Sequence, residues 1–173
     1  MNLGLLVVRV IVGVLFFGHG AQKLFGWFGG HGIEGTGGFF EQLGFPNGKL
    51  QAALAGLAEA GGGILLALGL LTPLSLAAIT AVMLVAVVKV HLANGIWAAN
   101  NGFEYNLVLV AIAFAVTAVG PGNWSLDHVL SLDLSGAGWA LGALGAGLIG
   151  GLGALAQTRL VRSRQQPPHP TAA

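Results

Sequence analysis

The chain has 173 residues, 55% apolar and only 8% charged, with 7 Lys and Arg against 6 Asp and Glu. Soluble domains carry about 25% charge, and so few ionic side chains cannot give a fold of this size a solvated surface. With a mean hydropathy of +0.82, the composition excludes a cytosolic enzyme and points to lipid as the solvent, while a net charge of +1 gives nucleic acid no purchase. The chain has no cysteine, so disulfides, thiol redox chemistry and Cys-ligated zinc or iron–sulfur clusters are excluded.

A hydrocarbon core of about 30 Å takes roughly 20 apolar residues in a helix, and backbone inside lipid must satisfy its own hydrogen bonds. The first predicted span runs from about Leu3 to Phe25 and carries Arg9, His19 and Lys23. With an arginine inside the apolar stretch and no basic start before it, this segment does not read as a cleaved signal peptide. The second span runs from about Leu50 to Leu71 with one charge, Glu59, and Thr72-Pro73 is read as its end. The third covers about Leu74 to Leu92, with Lys89 and His91 at its close, and the fourth about Tyr105 to Val119, short but free of charge. A fifth, from Gly136 to Ala156, is rich in Gly and Ala. Its Gly138, Gly142, Ala146, Gly150 and Ala154 recur every four residues, a smooth stripe of the kind that lets helices approach in lipid.

The expected fold is therefore an all-α polytopic membrane protein: a four-helix bundle over residues 1–120, then a loop and an additional Gly/Ala-rich transmembrane helix over 121–157. A basic, Pro-rich, disordered tail is expected over 158–173. Arg159, Arg162 and Arg164 follow the fifth span, whereas Asp127 and Asp133 precede it. The positive-inside rule then puts the tail and the loops 26–49 and 93–104 in the cytoplasm and the amino terminus outside.

Ionisable groups inside a bilayer cost roughly 2.5–3.5 kcal/mol at its centre and mark a function or a partner. If the helices alternate up and down, the loops 26–49 and 93–104 share one side, and His19, Lys23, Glu59, Lys89, His91, Glu104 and Asn106 fall in that half. His19, Gln22, Lys23 and Gly26 share one helix face. One polar pocket is expected there. Glu59 carries the most weight as the lone charge of its span, with Gly61, Gly62 and Gly63 leaving room for another helix or a ligand. The alternative is a buried pair of Glu59 with Arg9 or a lysine that only fixes helix register. Arg9 lies roughly 15 Å along the axis from Glu59, a strained reach for a direct bridge. His19 and His91 invite a metal or haem reading, but no Glu-x-x-His, His-x-x-Glu or haem-attachment motif accompanies them. Hydrogen bonding or proton relay suits them better, and no metal ligand is assigned. The aromatic loop holding Trp27, Phe28, Phe39, Phe40 and Phe45 reads either as an interfacial belt or as a lid over the pocket for a flat ring.

Three stretches, in order, resemble the DoxX family: LLVVRVIVGVLFFGHGAQKLFG (Leu5 to Gly26), LAGLAEAGGGILLALGLLTPLSLAA (Leu54 to Ala78) and VHLANGIWAANNGFEYNLVL (Val90 to Leu109). The resemblance implies a four-helix protein of the bacterial cytoplasmic membrane that serves as an oxidoreductase component. It also implies relatives such as the membrane subunit of a thiosulfate:quinone oxidoreductase and a mycobacterial member with redox-protective partners. The family's polar motif positions correspond here to Arg9, His19, Lys23, Glu59, His91 and Glu104. On this reading a membrane quinone is the co-substrate. Glu59, His19 and His91 handle protons as catalytic groups, and Arg9, Lys23, Lys89, Glu104 and Asn106 bind the substrate. Two alternatives stand beside it. One is a non-enzymatic scaffold that meets a redox partner or a second copy through Gly138, Gly142 and Gly150. The other is a proton-coupled transporter, which the small size and the lack of internal repeats disfavour.

Overall fold

The computed structural model describes residues 2–165, with side chains through Leu160. Seven α-helices follow in order: α1 (Asn2–Phe25), α2 (Gly32–Gln42), α3 (Gly48–Leu68), α4 (Thr72–Ala86), α5 (Glu104–Val119), α6 (Leu126–Val129) and α7 (Ala137–Gln165). No strand occurs among the described residues. α4 continues through a π-helical turn, Val87–His91, into a 3-10 turn that ends at Asn94. The protein is an all-α polytopic membrane protein whose outer surface meets the lipid: Val7, Ile11 and Val14, on one face of α1, are each about half exposed.

The expected spans all form, but their ranking inverts. Four helices are long and apolar enough to cross a membrane: Asn2–Phe25, Gly48–Leu68, Thr72–Asn94 and Ala137–Leu160. The Gly/Ala-rich segment is thus a full-length span, and α5, at 16 residues, is the short one. Thr72-Pro73 does not end the second span. α3 stops earlier, at Gly69, whose φ of 62° allows the left-handed cap in which Leu70 N donates to the Leu65 carbonyl. Pro73 then opens α4 at a first-turn position, where it needs no hydrogen-bond acceptor. α7 also runs on to Gln165, so residues 158–165, expected as the start of the tail, continue the helix. The rest of that tail lies outside the described residues.

Glycine sets the closest helix contact. α1 and α3 pack antiparallel, and a Cβ on Gly13 would stand 2.5 Å from the Gly63 carbonyl oxygen, one on Gly20 2.5 Å from the Gly56 carbonyl oxygen. The three glycines after Glu59 divide the work: Gly63 abuts α1, Gly62 packs on Ser75, Ala78 and Ile79 of α4, and Gly61 faces open space. Ser75 Oγ donates to the Gly62 carbonyl at 2.7 Å, binding α3 to α4. α4 is the hub, packed by α3, α5 and α7, and the apolar core (Val12, Phe16, Leu66, Leu76, Ile79, Val116) gathers around it. The stretch expected as a glycine-rich loop holds α2. Glycine is a poor helix former, but here it lets α2 lie on α3: a Cβ at Gly37 would stand 2.9 Å from Lys49 N, and one at Gly48 would meet the Gly37 carbonyl.

Candidate functional site

The chain order places α2, the start of α3, the ends of α1 and α4 and the end of α7 at one end of the bundle, called here the α2 end. In that half, a cavity of about 650 Å³ lies between α3, α4 and α7 under α2. α3 gives one wall through Gln51, Leu54, Ala55, Ala58 and Glu59, positions three and four apart that share a helix face. α4 gives Val82, Val85 and Lys89; α7 gives Gly150, Gly153, Ala154 and Gln157; Phe39, Phe40 and Phe45 form the roof. The aromatic stretch therefore splits between its two readings. Those three rings cover the cavity, whereas Trp27 and Phe28 are 53% and 70% exposed and face outward.

Glu59 is 4% exposed, and its Oε2 lies 2.6 Å from Lys23 Nζ, which reaches across from α1. Both residues line the cavity. A pair this close satisfies both charges only while neither is removed. Lys89 completes the polar lining. Its ammonium donates to the Leu43 carbonyl at 3.1 Å and to Thr158 Oγ1 at 2.8 Å, and lies 5.3 Å from the Phe45 ring centroid. Gln51 Nε2 donates to Gln157 Oε1 at 2.9 Å, across from α3 to α7. These two amides were missed in the sequence. The signal was there: each is an uncharged polar residue inside an apolar helix.

The other expected site residues lie apart. His19 is exposed, its Nδ1 3.1 Å from Gln22 Oε1, and does not line the cavity. His91 and Glu104 fold the loop between α4 and α5. His91 Nδ1 donates to the Asn101 carbonyl at 2.7 Å, a tautomer fixed by an acceptor that carries no proton. Glu104 Oε2 accepts from Ala98 N at 2.9 Å. Asn106 is buried beneath them, its Nδ2 3.2 Å from Met83 Sδ. None of these three lines the cavity.

Arg9 sits in the opposite half, as its distance along α1 dictates. Fully buried, it donates through Nη2 to the Trp124 carbonyl at 2.7 Å and packs against Gly69, where a Cβ would collide with the guanidinium. It shares that region with Asp127, 2% exposed, which accepts from Leu71 N (2.7 Å), Thr72 N (3.3 Å) and Thr72 Oγ1 (3.1 Å). Asp127 thus caps α4 and holds Leu71 at a φ of 47°, a backbone state that costs a non-glycine residue about 1–3 kcal/mol. Arg9 and Asp127 hold the α3–α4 turn and the backbone around Trp124, and neither lines the cavity under α2.

The stripe on α7 also resolves. Ala140, Ala143, Gly147, Gly151 and Thr158 are its buried face, and a Cβ on Gly147 would stand 2.6 Å from the Ala77 carbonyl oxygen. Gly138 and Gly142 face away from the bundle with nothing near them, and Gly150 lines the cavity.

Helical spans around an apolar cavity that holds a buried ion pair define an integral membrane protein. The DoxX family profile matches residues 4–92, and the chain belongs to the DoxX family. It is 33% identical over 116 residues to a Bacillus subtilis protein named "Putative oxidoreductase CatD", covering 67% of this chain and 80% of that one. It is 30% identical over 135 residues to "Uncharacterized membrane protein Rv3486" of Mycobacterium tuberculosis, covering 72% and 79%. No solved structure matches the chain.

Proposed function

We propose that the protein is the membrane subunit of a quinone-linked oxidoreductase and that its cavity receives the quinone ring. The observation that carries this reading is the Lys23–Glu59 pair on the wall of an otherwise apolar, aromatic-roofed chamber. Small-molecule sites have this makeup and measure about 300–1,000 Å³. Reduction of a quinone takes up two electrons and two protons. The electrons come from a reduced sulfur compound or a partner redox protein, and the chain's own part is to hold the ring and manage protons. Lys23 offers N–H donors to a ring oxygen, Lys89 sets positive charge at the cavity wall, and Glu59 is placed to pass a proton inward. The name of the B. subtilis relative supports the redox class. The positive-inside rule supports an orientation in a bacterial cytoplasmic membrane with the α2 end inside: of the Lys and Arg in residues 2–160, Lys23, Lys49, Lys89 and Arg159 lie toward that end and only Arg9 toward the other.

Proteoliposomes of the full chain, supplied with a tailed benzoquinone and sulfite, thiosulfate or a co-purifying redox protein, test the reading. The expected result is quinone reduction that falls at least tenfold in Glu59→Gln and Lys23→Met. Absence of both quinone binding and turnover with every donor would count against it.

A scaffold role is the second reading. It is favoured by Gly138 and Gly142, which turn a small-residue face toward the lipid with no atom within 4 Å of an added Cβ, the kind of surface on which membrane helices associate. Here Gly142→Leu would release a co-purifying partner or a second copy, and Glu59→Gln would leave the complex intact.

A further inference from the structure

The cavity is closed unequally on its different sides. Toward the α2 end, Phe40, Phe45 and Ala52 pack with Val85, Ala154 and Leu155, Lys89 lies over the Phe45 ring, and Gln51 and Gln157 join α3 to α7. That end carries the aromatic roof, and Phe39 and Val90, which line the cavity there, are themselves partly exposed. The side between α3 and α7 is different. Each helix packs closely on α4, but they make little direct contact with one another. Leu54, Gly150 and Gly153 line the cavity and are also exposed, so the seam between the two helices reaches the outer surface at the level of the lipid chains. Its edge is kept bare by glycine: a Cβ on Gly153 meets nothing within 4 Å, and one on Gly150 meets only Ala81, at 3.7 Å.

We propose that the cavity is loaded sideways from the bilayer through the α3–α7 seam, and that its ligand is a quinone with a hydrocarbon tail. The ring lies by Lys23, Glu59 and Lys89, and the tail runs out over Gly150 and Gly153 into the lipid. This deepens the quinone reading above and rests on it. A chamber of about 650 Å³ holds a ring and the first part of a tail, and the remainder has to leave through an apolar opening. The seam is that opening, whereas the α2 end presents packed aromatic rings and amide and ammonium groups. α7, which supplies one wall of the seam, lies outside the stretch that the family profile matches.

The full chain in lipid nanodiscs, photolabelled with an azido-benzoquinone carrying two isoprene units, tests the proposal beside the same ring without a tail. In the wild type the tailed probe should label α3, α4 or α7, and excess non-photoreactive tailed quinone should compete it away. Gly153→Phe places a ring in the seam without touching the bundle, and Gly150→Leu is a second, smaller plug. Each should lower labelling by the tailed probe at least tenfold. Gly145→Phe is the control, since its Cβ also meets nothing within 4 Å and the residue is not on the cavity wall; labelling there should stay within twofold of wild type. Wild-type labelling in a folded Gly153→Phe and a folded Gly150→Leu protein would overturn sideways loading and leave the quinone reading standing. Labelling by the tailless ring as strong as by the tailed probe would overturn the choice of ligand. If neither probe labels the wild type, the quinone reading itself fails.

Discussion

At the end of the bundle opposite α2, Arg9 is fully buried and its neighbour Asp127 nearly so, and the groups around them are mostly backbone: the Trp124 carbonyl receives the guanidinium, and the amides of Leu71 and Thr72, with the Thr72 hydroxyl, occupy the carboxylate. At the α2 end Glu59 is just as deeply buried, but its partner is a flexible lysine and the space beside the pair is a cavity. Burial and charge are common to both places, so neither identifies a site. What separates them is what lies beside the charges: loop backbone at one end and a cavity at the other. Asp127 spends its oxygens on a helix terminus and a strained Leu71, and its removal would loosen a loop. The Lys23–Glu59 pair holds two helices that glycines already clamp, and it lines a chamber that a molecule can fill.

The sharpest way to break this comparison is Arg9→Ala. Truncation leaves a hole and strips the buried carboxylate of Asp127 of its nearby positive charge. Emptying a buried site of this size, with loss of the bond to Trp124, costs about 3–5 kcal/mol, so unfolding in mild detergent should shift by that amount. Quinone labelling per folded molecule should stay unchanged. Lost labelling in protein that melts normally would move Arg9 into the site and dissolve the distinction.

The spans were legible because long uncharged runs leave helix as the way to satisfy backbone in lipid. Their bounds fell within a few residues of α1, α3 and α5, whereas α4 gives way to a π-helical turn at Val87 and α7 runs nine residues past the expected end. Glu59 was legible too, since a single carboxylate among apolar residues needs a partner. The offset between Arg9 and Glu59 followed from helical rise alone, although the motif still drew Arg9 into the expected site. Three things were hidden. α2 was read as loop because four of its eleven residues are glycine, and only contact with α3 shows that one of them, Gly37, is a docking point. His91 and Glu104 looked like site residues by type, yet their acceptors and donors are backbone groups of a loop whose path no sequence pattern specifies. The cavity wall on α7 was hidden because a stripe of small residues does not reveal which of its edges faces inward. Gly147 and Gly151 bury themselves on α4, while the regular stripe with Gly138 and Gly142 turns outward.

Gly20→Leu ranks next. The substitution drives a side chain into the Gly56 carbonyl and the Ala60 backbone, where overpacking costs about 1–3 kcal/mol. Because the same contact aligns α1 so that Lys23 meets Glu59, labelling should fall together with stability, the signature of a scaffold element beneath a site. Glu59→Gln should separate the two readouts. Its partner Lys23 keeps a 25% exposed side chain and can swing its ammonium outward along its methylene stem, so the melting shift should stay at roughly 1 kcal/mol or less, below the usual cost for a fully buried pair. Turnover should still drop at least tenfold. A melting shift as large as that of Arg9→Ala, with turnover retained, would make Glu59 a register device like Asp127.

The smallest effect belongs to the other ion pair in the described structure. Lys49 and Glu34 join α3 to α2 at 2.7 Å, but their side chains are 63% and 79% exposed. Water and salt screen such a pair, and the two chains lose rotamer freedom in making it, so exposed pairs contribute little. Lys49→Ala should change stability by less than about 0.5 kcal/mol and leave labelling as it is, since α2 is held over the cavity by Phe40 against Phe45 and by Gly37 against Lys49 backbone rather than by this bridge. The measurement is worth making because α2 is the roof. If Lys49→Ala opened the cavity to a water-soluble quinone, the roof would hang on surface charge. If nothing changes, the difference between the two ends rests on the aromatic packing and on the buried pair beneath it.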